Sequence, residues 1–136
     1  MDFFASMKIA AAGLKAQSGR MRVIAENLAN AESTATARGE DPYRRKIPTF
    51  QQIYDREIGQ DVVRLDKVKK DMSDFNIRYE PGHPAADEKG YVRTPNVSSL
   101  IESMDLREAQ RSYEANLNVI SATRRMLART LEILRV

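Results

Sequence analysis

The chain has no cysteine, no tryptophan and one histidine, His83, and aromatic residues make up 7% of its 136 positions. Without cysteine there is no disulfide framework, no thiolate metal site and no cysteine nucleophile. With so few large rings, a dense globular core is short of its usual contributors. No run approaches the ~20 apolar residues of a membrane span. Charge of one sign is missing as well. Residues 1–31 carry four positive and two negative charges, residues 32–101 twelve of each, and residues 102–136 six and five. No segment has the one-signed field of a dedicated nucleic-acid surface. The pI near 9.3 rests on a surplus of only three charges, weak evidence for a polyanionic partner. There is no glycine-rich phosphate loop, no GxSxG elbow and no HExxH. The expectation is a non-enzyme with no cofactor and no small-molecule substrate.

Proline is absent from both ends: Pro42, Pro48, Pro81, Pro84 and Pro95 all lie in the middle. The ends read as helices. Phe3, Met7, Ala10, Leu14, Gln17, Met21, Ile24 and Leu28 are spaced alternately by four and three, a heptad seam with one polar member, Gln17. At the other end Leu106, Tyr113, Ile120, Leu127 and Leu134 recur every seventh residue. Leu117 and Leu131 follow two of them by four, and Ala109, Val119, Met126 and Ile133 widen the stripe. Two adjacent apolar faces predict more than one neighbour. Ser98 or Ser99 suits the helix start, with Glu102 completing a capping box to Ser99.

The expected fold is mainly α. A helix over 1–31 and a helix over 98–136 pack as a coiled-coil core around a small β-rich or irregular insert, 32–97. Within the insert, Phe75, Ile77 and Tyr79 alternate with polar residues, and Val63, Leu65 and Lys67 do so more weakly, as short strands would. YRRKIPTFQQIYDREI is open between a strand and a short helix. The packing residues should be Met7, Leu14, Met21, Ile24, Leu28, Leu106, Tyr113, Leu117, Ile120, Leu127, Leu131 and Leu134.

Four polar or small stretches admit a sharper and a plainer reading. His83, with Asp87 and Glu88 close by in PGHPAADEKGYVRTPNV, suggests a metal site or a hydrolase. However, three or four ligands must converge on an ion, and the flanking prolines hold this turn stiff. A rigid turn is the plainer account. Tyr43-Arg44-Arg45-Lys46 has the composition of a phosphate contact, but Glu40 and Asp41 precede it, and a solvated loop or a subunit salt bridge fits better. In ENLANAEST, Asn27 and Asn30 either cap the helix end or set register between packed helices, and both readings stay open. In AAAGLKA, Gly13 sits among small residues that allow close approach by another backbone, or simply thin that side of the helix.

These motifs carry a resemblance. Ala16, Arg20, Val23, Ile24, Ala25, Asn27, Leu28, Ala29, Asn30 and Ala31 match the N-terminal signature of flagellar axial proteins, the rod, hook and hook-associated subunits. Glu26 stands where an asparagine is usual, and Glu32-Ser33 replaces Asn-Thr. Tyr79 to Pro84 (with Pro81, Gly82 and His83), Ala86-Asp87, Gly90-Tyr91-Val92 and Pro95-Asn96-Val97 resemble the C-type proximal rod subfamily. So do Pro42 to Arg45 and Glu102, Met104, Ala109, Arg111, Tyr113, Glu114, Ala115 and Asn116. The resemblance spans nearly the whole chain. It implies a structural subunit of the proximal rod of the bacterial flagellar basal body, polymerising through its terminal helices into the torque-transmitting shaft. The implied partners are other copies, other rod proteins, and the MS ring or export gate at the rod base. It further implies a periplasmic location reached through the flagellar type III export apparatus. The N-terminus begins with Asp2 and carries Lys8 inside its apolar part, unlike a secretory signal, so export without a cleavable leader is expected. Another axial subunit is the alternative within the family. Outside it stand the His83–Asp87 enzyme and a nucleic-acid module using Tyr43 to Lys46.

Overall fold

The computed structural model describes residues 2–135. Met1 and Val136, the outermost positions of the two expected helices, lie outside the described residues. Helix α1 spans Phe3–Ala29 and helix α2 spans Ser99–Leu134, 27 and 36 residues long. Between them lie strands β1 (Lys46–Asp55), β2 (Gln60–Lys70), β3 (Asn76–Tyr79) and β4 (Tyr91–Thr94), forming two two-stranded sheets, β1-β2 and β3-β4. The ten- and eleven-residue strands of the first sheet give the middle segment more regular structure than a short irregular insert would have. YRRKIPTFQQIYDREI contributes strand β1 and no helix. Pro48 is tolerated inside β1 because each strand of a two-stranded sheet has a free edge that needs no ladder donor.

The chain folds as two compact units. The first comprises residues 1–21, 49–67 and 107–136, and the second 22–48 and 68–106. Each draws on both long helices and on part of the middle segment.

In the first unit, Asp2 Oδ1 accepts from the backbone N–H groups of Phe4 and Ala5, at 3.0 Å each, and so starts α1 as an N-cap. The β1-β2 turn is closed by Gly59 N–H donating to Asp55 O at 2.9 Å, with Gly59 at φ 66°. Lys8 of α1 reaches this turn and pairs with Asp55, at 3.1 Å, and with Glu57. Helices α1 and α2 meet closely at Gly13, where an added β-carbon would lie 2.8 Å from Asn116 Oδ1. Gly19 likewise presses on Leu65 of β2. The fully buried apolar residues here are Ala5, Ala10, Ala16 and Ala109.

In the second unit, β3 and β4 are antiparallel, with Asn76 opposite Thr94 and Tyr79 opposite Tyr91. Val92 and Thr94 of β4 point inward and are buried, together with Val23, Ile24, Ala86 and Val97. The other face shows Ile77, Tyr79 and Tyr91 to solvent, the two tyrosine rings edge-on at 5.2 Å. Gly90 turns the chain into β4 at φ 85°. An added β-carbon there would sit 2.9 Å from the Tyr79 ring and 3.0 Å from Pro81 Cβ, so the turn needs glycine for both conformation and space.

Candidate functional site

The expected packing residues are covered unevenly. On α1, Ile24 is fully buried, and Met7, Leu14, Met21 and Leu28 are half-buried. On α2, Leu106, Tyr113 and Ile120 are half-buried, whereas Leu117, Leu127, Leu131 and Leu134 are exposed. The most covered row of α2 is a different one. Glu102, Ala109 and Thr123 are buried, and Asn116, between the last two at the same spacing, is half-buried against Gly13. The deepest positions of the long helix are therefore small or polar, and its leucines point elsewhere. Gln17, the polar member of the α1 seam, has its Oε1 buried with no hydrogen-bond partner among the described residues.

The second unit holds a buried polar network. Asn27, near the end of α1, uses every bonding position of its amide. Its Oδ1 accepts from Tyr43 OH at 2.8 Å and from Lys46 N–H at 2.9 Å. Its Nδ2 donates to Lys46 O at 2.8 Å and to Glu102 Oε2 at 3.1 Å. The amide thus pairs with the backbone of Lys46 as a neighbouring strand would, at the first residue of β1. Arg45 Nε donates to the other Glu102 oxygen at 2.5 Å, and an Arg45 Nη lies 3.5 Å from Asp71. Asn96 accepts from Arg45 N–H at 2.8 Å and donates to Asp71 O and Ser73 Oγ. Glu102 therefore does not close a capping box on its own helix. At 1% exposure its carboxylate belongs to Arg45 and Asn27.

The electrostatics follow the geometry. Burial works against the charged Arg45 guanidinium, but Glu102 and Asp71 outweigh it and hold its pKa up. Burial, and then the negative charges of Glu26 and Glu102, push the Tyr43 phenol up to about 12. Backbone and side-chain bonds from Ser73, more than Arg45, hold Asp71 below the usual carboxylate range. The stretch Tyr43 to Lys46 is thus half-buried and tied inward, with Lys46 paired to Glu26 and Arg44 stacked 4.1 Å over the Phe75 ring. It is not a solvated basic loop.

His83 staples its own loop. Nδ1 accepts from Ala85 N–H at 3.0 Å, which leaves the proton on Nε2, 3.1 Å from Thr34 Oγ1. Asp87 accepts from the N–H groups of Lys89 and Tyr91, at 2.9 Å each, and the Tyr91 bond leads in holding its carboxyl below the ordinary range. The two side chains thus serve separate turns of one connector. Pro81, Gly82 and Pro84 lie on its exposed surface, while Gly90 and Pro95 are buried at its far end. Asn30 bonds Glu26 O at 2.8 Å and so caps the end of α1, a role Asn27 does not share. Leu28 is half-buried and Ala29 exposed beside it.

Residues 88–133, from the end of this connector through most of α2, match the family model described as flagellar basal body rod FlgEFG protein C-terminal. Over 131 residues the chain is 50% identical to the flagellar basal-body rod protein FlgC of Agrobacterium fabrum, covering 96% of this chain and 94% of that one. It is 39% identical to the FlgC proteins of Aquifex aeolicus and Bacillus subtilis, over 97% and 98% of this chain and 97% and 99% of theirs. The chain belongs to the FlgC family of flagellar basal-body rod proteins. Its role is structural rather than enzymatic.

For a FlgC-type chain, the residues of interest are those that hold the two long helices and those left uncovered. Sequence patterning found the leucines but not the network. Asn27 and Glu102 are 75 residues apart in sequence, and no local pattern joins them. A signal was present in the spacing of Glu102, Ala109, Asn116 and Thr123, every seventh residue. That row contains no large apolar side chain, so a search for hydrophobic periodicity passes over it. Leu100 and Ile101, exposed on the first turns of α2, fall outside the seven-residue stripe.

Proposed function

We propose that this FlgC-family subunit polymerises through its terminal helices, which pack as a coiled coil against helices of other copies and other rod proteins. The observation that carries this reading is the uncovered stripe of α2. Leu117, Leu127, Leu131 and Leu134 are exposed, and Val119, Met126 and Ile133 add a second exposed row. A helix this long with apolar rows open to water requires a cover. Residues 1–31 and 98–136 then form the core of the shaft, and 32–97 lies outside it. Hydrogen bonds running along each helix axis suit the structure to carry torque. The base of the rod adds the MS ring or export gate as partners. The subunit reaches the periplasmic rod through the flagellar export apparatus.

Leu127→Asp tests the reading. Leu127 is 38% exposed, so the free chain should lose no more than about 2 kcal/mol and stay folded. Cells carrying the variant should be non-motile, with basal bodies that lack a completed rod. Normal swimming would overturn the reading.

A further inference from the structure

Heptad patterns leave helix pairing underdetermined. Met7, Leu14, Met21 and Leu28 recur every seventh residue on α1, as do Leu106, Tyr113, Ile120, Leu127 and Leu134 on α2. Sliding one helix by seven residues presents the same kinds of side chain to the same neighbours. Within the covered row of α2 only Asn116 discriminates by shape, because it needs Gly13 opposite it, while Ala109 and Thr123 are small. The buried polar pair of the second unit is a further feature that can reject the slipped pairings.

We propose that Asn27 and Glu102 are a register lock, which selects one pairing of the two long helices out of those the heptads allow. The lock goes beyond the assembly reading, because it acts in the free chain. Its two halves are each held from a third direction. Asn27 is bonded to both backbone groups of Lys46, and Glu102 is bonded to Arg45. Neither side chain can follow a sliding helix without breaking those bonds. A slip of one heptad sets Asn27 opposite Ala109, which offers only a methyl group. It also leaves the buried Glu102 carboxylate without its donor from α1, and an under-bonded buried charge is costly. The polarity is fixed too: the amide must turn its NH₂ to the carboxylate, because its oxygen is taken by Tyr43 and Lys46. Glu102→Gln keeps the volume but leaves one acceptor oxygen for two donors, so either Asn27 or Arg45 then faces an NH₂.

The absence of cysteine makes the test clean. Both helices continue into the first unit, where a β-carbon on Gly13 would lie 3.0 Å from Asn116 Cγ. Gly13→Cys with Asn116→Cys therefore reports the native register. Gly13→Cys with Ala109→Cys or Thr123→Cys, each with Asn116→Ala to clear the space a β-carbon on Gly13 needs, reports slips in either direction. In the otherwise unaltered full chain, the native pair should oxidise at least about tenfold faster than either slipped pair, the scale of a strong coupling. Arg45→Leu with Glu102→Leu removes both charges but keeps apolar volume, a change that buried ion pairs commonly tolerate. In that background the slipped pairs should come within about threefold of the native one. Should it not fold, Glu102→Gln, which keeps the volume, must show the same loss of selectivity. Asn27→Ala with Glu102→Gln should lose little more selectivity than either single change, because each already breaks the Asn27–Glu102 contact. Undiminished native selectivity in the folded charge-free variant, or purely additive losses in the Asn27–Glu102 pair, would overturn the lock.

Discussion

The two units are held together by different means. In the second, Val23, Ile24, Val92 and Val97 are buried around a satisfied polar network. In the first, the fully buried apolar residues among those described are all alanines, while Phe4, Leu117, Met126, Leu131 and Ile133 face solvent. Burying a valine or isoleucine side chain contributes about 1.5–3 kcal/mol, and an alanine methyl much less. The comparison separates a unit with a buried core of branched side chains from one whose fully buried apolar residues are alanines; both leave large apolar groups uncovered, among them Leu100, Ile101 and Met104 in the second. Covering them adds stability by mass action, in proportion to how tightly a partner binds.

The largest test of this contrast is Ile24→Asp. It places an unpaired carboxylate in the core of the second unit and should cost about 4 kcal/mol or more. Urea unfolding should show that loss, against a loss of no more than about 2 kcal/mol for Leu127→Asp. Equal losses from the two would erase the distinction.

A smaller effect should come from Tyr43. Its folded pKa of about 12 lies above the ordinary value of 10. The folded chain therefore keeps a proton that the unfolded chain has already released between those values. The stabilisation is complete below about pH 10 and is lost as pH rises towards 12. Tyr43→Phe should be less stable by about 1 kcal/mol at neutral pH, for the lost bond to Asn27. It should also lack this component of the alkaline decline. Parallel stability curves from pH 9 to 12 would remove Tyr43 from the network.

The smallest is Gln17→Leu in the first unit. Removing a buried acceptor that has no partner should stabilise the free chain by about 1 kcal/mol. A thermal melt decides it, and a destabilised variant would mean that the amide is satisfied after all.

What could be read from the sequence was mostly what local spacing encodes. Proline-free heptads marked both helices, and the alternation of Ile77 and Tyr79 marked β3. Alternation does not say which face is covered, and in β3 those two residues lie on the open face while β4 supplies the buried one. Strand β1 is ambiguous in sequence because Pro48 lies within it, and β4 is hidden in PGHPAADEKGYVRTPNV because turn residues surround it. The network was beyond reach for a different reason. Glu102 has the same local sequence whether it caps its helix or crosses to Arg45, and only the tertiary partner decides.

The division into units has a consequence for the order in which structure becomes possible. The first unit needs residues from both ends of the chain, and the second needs everything from Arg22 to Pro48 and from Val68 to Leu106. No stretch beginning at the N-terminus completes either unit before Leu106 has appeared. A chain that emerges N-terminus first, from a ribosome or through a narrow channel, carries Asn27 for most of its passage before Glu102 arrives to meet it. Late completion is written into the topology: the second unit waits for Leu106, and the first for residues beyond it.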